Sequence, residues 1–149
     1  MIDGVTFTLA PACDLLSLDL WEGDLPDLGL VRALRVEPTR WWLVDAGDRI
    51  AGIAAALGTR GAITPFGGGM VRATLTGPGW RDLLLVSGFF DTEDQGFGPG
   101  QVASTVIHHV PVRIAPLADD VCELFCPASL SATLADLWRD ATIAGSPGG

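Results

Sequence analysis

The sequence has no tyrosine, two histidines and three cysteines, and its nine basic residues face eighteen acidic ones, for a formal charge of −9 at pH 7. Each shortage removes a class of function. Without tyrosine there is no phenolic acid for proton transfer. So few basic residues make no patch to neutralise phosphates, so neither nucleic acid nor an anionic membrane surface is an expected partner. No apolar run approaches the ~20 residues of a membrane-spanning helix. The N-terminus, MIDGVTFTLA, carries Asp3, neither Lys nor Arg, and no long apolar core, so it is not a secretory signal. A cytoplasmic location is the expectation. Cys13, Cys122 and Cys126 give no disulfide framework. On a strand from Val121 to Pro127, Cys122 and Cys126 share a face ~13 Å apart, too far to bridge. They read as small buried hydrophobes.

What is abundant is apolar material. Hydrophobic residues make up 48% without glycine, and 19 glycines in 149 residues lift the set to about 61%, above the usual ~45–50%. Charged residues, at 18%, fall below the usual ~25%. Either small Gly and Ala residues inflate the count, or part of the surface is covered by partner subunits. The length suits one domain, here residues 1–144, with Gly145 to Gly149 a disordered tail.

Val5 to Ala10 alternates as an opening strand. Pro11 to Leu28 is acidic and irregular, and Pro26 and Gly29 mark it as a loop or short helix. Such a segment either lies across a partner or, as the favoured reading, is a surface arm packed on its own domain. Gly29 to Val36 and Arg40 to Asp45 read as a hairpin about Glu37-Pro38-Thr39. A helix over Asp48 to Leu57 places Ile50, Ile53, Ala54 and Leu57 on one face, with Asp45 or Asp48 as its cap and Gly58 at its end. Arg60 to Thr64 is a short strand, and Gly67-Gly68-Gly69 a hairpin turn. Val110 to Ala115 and Val121 to Cys126 form a second hairpin through Pro116 to Asp120. A last helix, about Ser129 to Ala141, has Leu130, Leu134, Leu137 and Trp138 as its apolar face and Ser129 or Ser131 as its cap. Hairpin-then-helix thus occurs twice, at Gly29–Leu57 and Val110–Ala141.

The candidate chemistry is thin. His108 and His109, as strand neighbours, point to opposite faces and cannot easily ligate one metal; one inward and one outward ring is expected. Asp91, Glu93 and Asp94 gather oxygen ligands of the kind Ca²⁺ or Mg²⁺ takes, but the EF-hand order is missing. A solvated loop is favoured there, with Asp91 capping backbone N–H groups. The triglycine has no Lys-Ser/Thr after it, and Gly96-Phe97-Gly98-Pro99-Gly100 lacks a dinucleotide context. No G-x-S-x-G elbow surrounds Ser87, Ser104, Ser129 or Ser131. No catalytic, cofactor-binding or metal-ligating residue is assigned. Trp41 and Trp42 are adjacent, so on a strand one faces in and the other out. An outward Trp is an interface anchor or a cap over its own sheet. With Trp21, they are the candidate interface residues.

The central stretch is Val71 to Pro116. Val71, Ala73 and Leu75 alternate with Arg72 and Thr74 as a half-buried strand. Gly77-Pro78 stops it, with Pro78 suited to the first position of a helix. Trp80, Leu83 and Leu84 then share a helical face. A loop carrying Asp91, Phe97 and Gly100 leads to a β-rich run, Gln101 to His108.

Leu75-Thr76-Gly77-Pro78, the spacing Asp91 to Phe97 to Gly100, and Gln101-Val102-Ala103-Ser104-Thr105 together resemble the gamma subunit of heterotetrameric sarcosine oxidase. That subunit is related to the aminomethyltransferase, or T-protein, fold. Glu37-Pro38-Thr39-Arg40-Trp41-Trp42-Leu43 and Glu123-Leu124-Phe125 extend the likeness from about Val31 onward. The sequence departs from the pattern at Thr64-Pro65-Phe66, where Asp-x-Ser is frequent, and at Thr92, where an aliphatic residue is usual.

The resemblance implies an α+β fold of two βαβ-like halves in one aminomethyltransferase-like domain, with Gly77, Pro78, Asp91, Phe97 and Gly100 as structural motif positions. It also tips the apolar excess toward a covered surface. The implied role is that of an accessory, non-catalytic subunit in a complex that demethylates sarcosine or a similar N-methyl amino acid. FAD, FMN, NAD and tetrahydrofolate would lie on partner alpha, beta and delta subunits. The alternatives are a stand-alone small folate-binding protein and a free-standing aminomethyltransferase-like catalyst.

Overall fold

The computed structural model describes residues 2–12, 14–89 and 97–142. Among them lie nine strands: β1 (Thr6–Pro11), β2 (Leu15–Leu20), β3 (Arg32–Glu37), β4 (Arg40–Val44), β5 (Gly61–Pro65), β6 (Met70–Thr76), β7 (Ala103–Ile107), β8 (Val110–Ala118) and β9 (Val121–Pro127). The α-helices are α1 (Ile50–Leu57), α2 (Trp80–Val86) and α3 (Ser131–Thr142). The expected α+β class holds. The chain forms two compact units, Ala12–Met70, and Met1–Pro11 with Val71–Gly149.

In the unit Ala12–Met70, four strands run in the order β3-β4-β2-β5, with every ladder antiparallel. The acidic stretch expected to be a loop or short helix instead supplies β2, an inner strand. Leu16, Leu18 and Leu20 alternate with Ser17 and Asp19 and are buried. The charge that disguised this strand is answered across the ladder, where Arg40 donates to Asp19 Oδ1 at 2.7 Å. The β3–β4 hairpin is as expected, with a bulge between Arg35 and Glu37.

Helix α1 starts later than expected, after a 3₁₀ turn over Gly47–Arg49. The residues at the two N-caps are Ala46 and Arg49, neither with a side-chain cap bond, so the cap assigned to Asp45 or Asp48 is corrected. Ile53 and Leu57 are buried, whereas Ala54 faces solvent. Gly58, at φ +58°, closes the helix by donating to Ala54 O at 3.1 Å. Leu16, Leu18, Leu20, Leu43, Ala46, Ile53 and Leu57 make this unit's core. Gly67-Gly68-Gly69 is a 3₁₀ turn rather than a hairpin turn, since β5 pairs with β2, and β6 with β1 and β9.

In the other unit, five strands run β1-β6-β9-β8-β7. The β1–β6, β7–β8 and β8–β9 ladders are antiparallel. Ala73 and Leu75 of β6, Trp80, Leu83 and Leu84 of α2, and Leu134 and Trp138 of α3 share one core with Cys122, Leu124 and Cys126 of β9. The two cysteines are fully buried, as expected; Cys13 lies outside the described residues.

Four local features differ from the sequence expectation. Pro78 lies in the turn ahead of α2, whose N-cap is Gly79, rather than at the first helical position. His108 and His109 are not strand residues. Both have positive φ, +47° and +69°, and both are exposed, as the two-residue turn between the paired Ile107 and Val110. Pro116 sits inside β8, so the β8–β9 turn shrinks to Asp119-Asp120, with a register shift at Pro116/Ala118 taking up the irregularity. Helix α3 follows a 3₁₀ turn, Ala128–Leu130, capped by neither serine; Ser131 Oγ instead donates back to Ala128 O at 2.9 Å.

The duplicated hairpin-then-helix is present as β3–β4–α1 and β8–β9–α3. The sheet orders match as well. β3-β4-β2-β5 corresponds to β8-β9-β6-β1, with β7 added at one edge. The fourth strand follows its helix in one unit and comes from the N-terminus in the other. There Ile2 N–H donates to Ala141 O at 2.8 Å, at the end of α3. Among the described residues no helix is long and apolar enough to cross a membrane.

Candidate functional site

The motif glycine Gly77 has φ +113°, and a Cβ there would run into Gly4 O. Its N–H donates to Asp120 O at 2.7 Å, and Gly79 N–H to Gly4 O at 3.0 Å. The next side chain, Trp80, is fully buried and donates its indole Nε1–H to Asp119 O at 2.9 Å. Gly77-Pro78-Gly79 therefore joins the N-terminal segment to the β8–β9 turn. Backbone proximity explains these residue types, with no ligand required.

Phe97 is buried and packs edge-on against Phe89 at 5.4 Å and Trp80 at 6.5 Å between ring centroids. Arg81 stacks on Trp80, 4.4 Å from its ring, and donates to Phe97 O at 2.9 Å. Gly98 to Gln101 then turns the chain, with Gln101 N–H donating to Gly98 O and Gly100 at φ +91°. So Phe97 anchors the turn that Gly100 permits. Asp91, with Glu93 and Asp94, lies outside the described residues, as does Thr92.

The three candidate interface tryptophans belong to the unit Ala12–Met70 and differ in setting. Trp21 is 63% exposed. Its indole Nε1–H donates to Thr59 O at 3.0 Å. Trp41 is half-buried, packs on the core cluster of β2 and α1, and carries Arg35 over its ring at 5.4 Å. Trp42 is half-buried against Phe66, with centroids 4.8 Å apart. Trp41 and Trp42 thus pack within their own unit, and Trp21 is the most exposed of the three. Trp21 and Trp41 line one cleft of about 370 Å³ with Leu20, Glu22, Asp24 and Arg35.

Two polar groups to which the sequence assigns no structural role are buried. Ser87 accepts the indole N–H of Trp138 at 3.1 Å and donates to Leu83 O at 2.7 Å, tying α2 to α3. Glu123 on β9 is buried, 3.7 Å from Arg72 Nη1 on β6. Neither has a local sequence signal, because the partner on the other element, Trp138 for Ser87 and Arg72 for Glu123, is distant in the chain.

Burial pushes the thiols of Cys122 and Cys126 up from their ordinary value, so both stay protonated at neutral pH. A protonated, enclosed thiol is a poor nucleophile and a poor ligand. Among the described residues, no group of three or more His, Cys, Asp or Glu side chains is placed to hold a metal ion.

No protein-family model and no curated protein matches the sequence. Solved structures do match. A chain of the heterotetrameric sarcosine oxidase from Corynebacterium sp. U-96, solved in complex with pyrrole 2-carboxylate, superposes with a TM-score of 0.78 at 18% identity, over 92% of this chain and 83% of that one. The glycine cleavage system aminomethyltransferase T from Bartonella henselae superposes with a TM-score of 0.65 at 14% identity, over 93% of this chain but only 46% of that one. At these identities the likeness is one of fold: two antiparallel-laddered sheets with three helices, in the arrangement of the aminomethyltransferase-like proteins.

Proposed function

We propose that this chain is an accessory, non-catalytic gamma-type subunit of a sarcosine-oxidase-like heterotetrameric flavoenzyme. Such an enzyme oxidatively demethylates sarcosine or a similar N-methyl amino acid and passes the methyl carbon to tetrahydrofolate. The observation that carries the reading is the match at whole-subunit scale, 92% of this chain on 83% of a chain from a heterotetrameric sarcosine oxidase. The aminomethyltransferase match supports the same fold inside a chain of about twice the matched length. In this reading FAD, FMN, NAD and tetrahydrofolate sit on alpha, beta and delta partners. This chain supplies a contact surface, and binding it stabilises the assembly by mass action. The exposed Trp21 and Leu30 and the apolar composition support that role. The place of work is the cytoplasm, where such a complex meets its cofactors.

The test is co-expression of the tagged chain with the flavoprotein products of neighbouring genes, followed by purification on the tag. A yellow complex of fixed stoichiometry is expected. A colourless single chain beside well-expressed flavoproteins would contradict the proposal. The second reading, a stand-alone folate-binding protein, draws on the aminomethyltransferase likeness. It predicts that tetrahydrofolate raises the melting temperature of the isolated chain.

A further inference from the structure

We infer that the cleft beside Trp21 is a receptor for an arginine side chain on a basic segment of a partner protein. The inference deepens the accessory-subunit reading and rests on it for the partner being a protein.

The cleft is built before any partner arrives. Its first wall is the loop Trp21 to Asp24. Trp21 N–H and Glu22 N–H both donate to Arg60 O, at 3.0 and 3.2 Å, and the Trp21 indole is fixed on Thr59 O. Arg60 reaches behind the loop to Asp24 O and Ala56 O, so that guanidinium is engaged with backbone carbonyls. Gly23, at φ +76°, lets the loop bend over Arg60. The second wall is the β3–β4 turn. Arg35 donates to Pro38 O from Nε and Nη2, at 3.2 and 2.6 Å, while its guanidinium lies over Trp41. Leu20 N–H donates to Thr39 O at 2.9 Å and joins the two walls.

Charge selects the occupant. From Ala12 to Val31 the chain has Asp14, Asp19, Glu22, Asp24 and Asp27 and no basic residue. Asp19 is paired with Arg40. Glu22 and Asp24 are exposed on the loop that carries Trp21, and neither takes part in an ion pair among the described residues. Against these two carboxylates the lining holds one cation, Arg35, which is held on Pro38 O. The cleft therefore offers an open indole and two carboxylates on one preformed wall. A guanidinium stacks on an aromatic face and donates in a plane to carboxylates, which an ammonium does less well. The opposite wall already carries a guanidinium over an indole within the chain, Arg35 on Trp41, there donating to a backbone carbonyl. At about 370 Å³ the cleft is near the small end of ligand pockets, ~300–1,000 Å³, which suits one or two side chains and not a whole cofactor.

The test uses the full chain, labelled with ¹⁵N and titrated with an acetylated, amidated Gly-Arg-Gly-Arg-Gly peptide up to millimolar concentration. A second peptide has citrulline, the neutral isostere, at both arginines. The Trp21 indole N–H resonance is expected to move with the arginine peptide and to respond at least tenfold more weakly to the citrulline peptide. The buried Trp80 and Trp138 indoles stay in place as internal references. The double variant Glu22→Gln with Asp24→Asn keeps the backbone and indole bonds and is expected to weaken the response at least tenfold. A Trp21 signal that the arginine peptide leaves unmoved would overturn the inference, and so would equal responses to the two peptides. Arginine-specific binding by a chain that assembles with no flavoprotein would remove the accessory reading and leave the cleft. Assembly with an unresponsive cleft would do the reverse.

Discussion

At the scale of single residues, Gly77 and the buried thiols carry the sharpest consequences. Gly77→Ala adds a Cβ against Gly4 O at a left-handed φ. A cost of about 2–4 kcal/mol is expected, read as a lowered urea midpoint. The thiols set a pH dependence whose sign follows from burial. The unfolded chain loses its thiol protons near the ordinary value of 9.0, whereas burial keeps Cys122 protonated in the folded state. Stability from this source is complete below pH ~8.5 and is lost as pH rises, by up to about 1.4 kcal/mol per pH unit for each thiol held protonated. The chain has neither tyrosine nor lysine, so cysteines are the side chains that titrate between pH 9 and 11. Urea unfolding at pH 8, 9.5 and 10.5 is expected to follow that fall, and Cys122→Ala to flatten it. An unchanged slope in that variant would contradict the assignment.

At the scale of elements, the β7–β8 turn is the place where local chemistry and geometry disagree most. His108 and His109 both occupy positive φ between paired strand ends, the signature of a type I′ hairpin, which favours Asn-Gly. Replacing the pair by Asn-Gly relieves left-handed strain and is expected to stabilise the chain by about 1 kcal/mol, measured by denaturant unfolding. Reduced stability would show that the imidazoles do more than turn the chain. The same turn explains why sequence reasoning failed there. A β-rich run through His108 reads as continuous strand, because nothing local in His-His announces left-handed backbone.

Strand β2 was hidden differently. Its Leu16, Leu18 and Leu20 keep a clean period of two, but Asp14, Asp19, Glu22 and Asp24 gave the neighbourhood the look of a surface loop. Only the cross-strand Arg40 accounts for Asp19 on an inner strand. By contrast, β6, α2 and α3 were legible because their apolar faces follow simple periods, and β6 stops at Gly77. The helix caps were misassigned since both α1 and α3 enter through 3₁₀ turns, which displace the cap from the obvious Asp or Ser. Trp21, Trp41 and Trp42 stand out in the sequence as candidate interface residues, but the cleft that Trp21 and Trp41 share does not, because it depends on Arg60 and Pro38 holding two loops from distant parts of the chain.

At the scale of the whole molecule, composition and surface exposure support the proposed accessory role. A chain with mean hydropathy +0.38 leaves Trp21, Leu30, Val86 and Val106 well exposed, which fits a surface completed by partners. The two matching sheet orders fit a duplicated β-β-β-α-β unit with one strand displaced to the N-terminus. The measurement that tests the accessory role most directly is the native mass, with flavin absorbance, of what co-purifies with the tagged chain. A flavin-containing assembly holding one copy of this 15.6 kDa chain beside larger flavoprotein subunits is the predicted result. The mass of the chain alone, without flavin, from cells that express those flavoproteins well, would contradict the account.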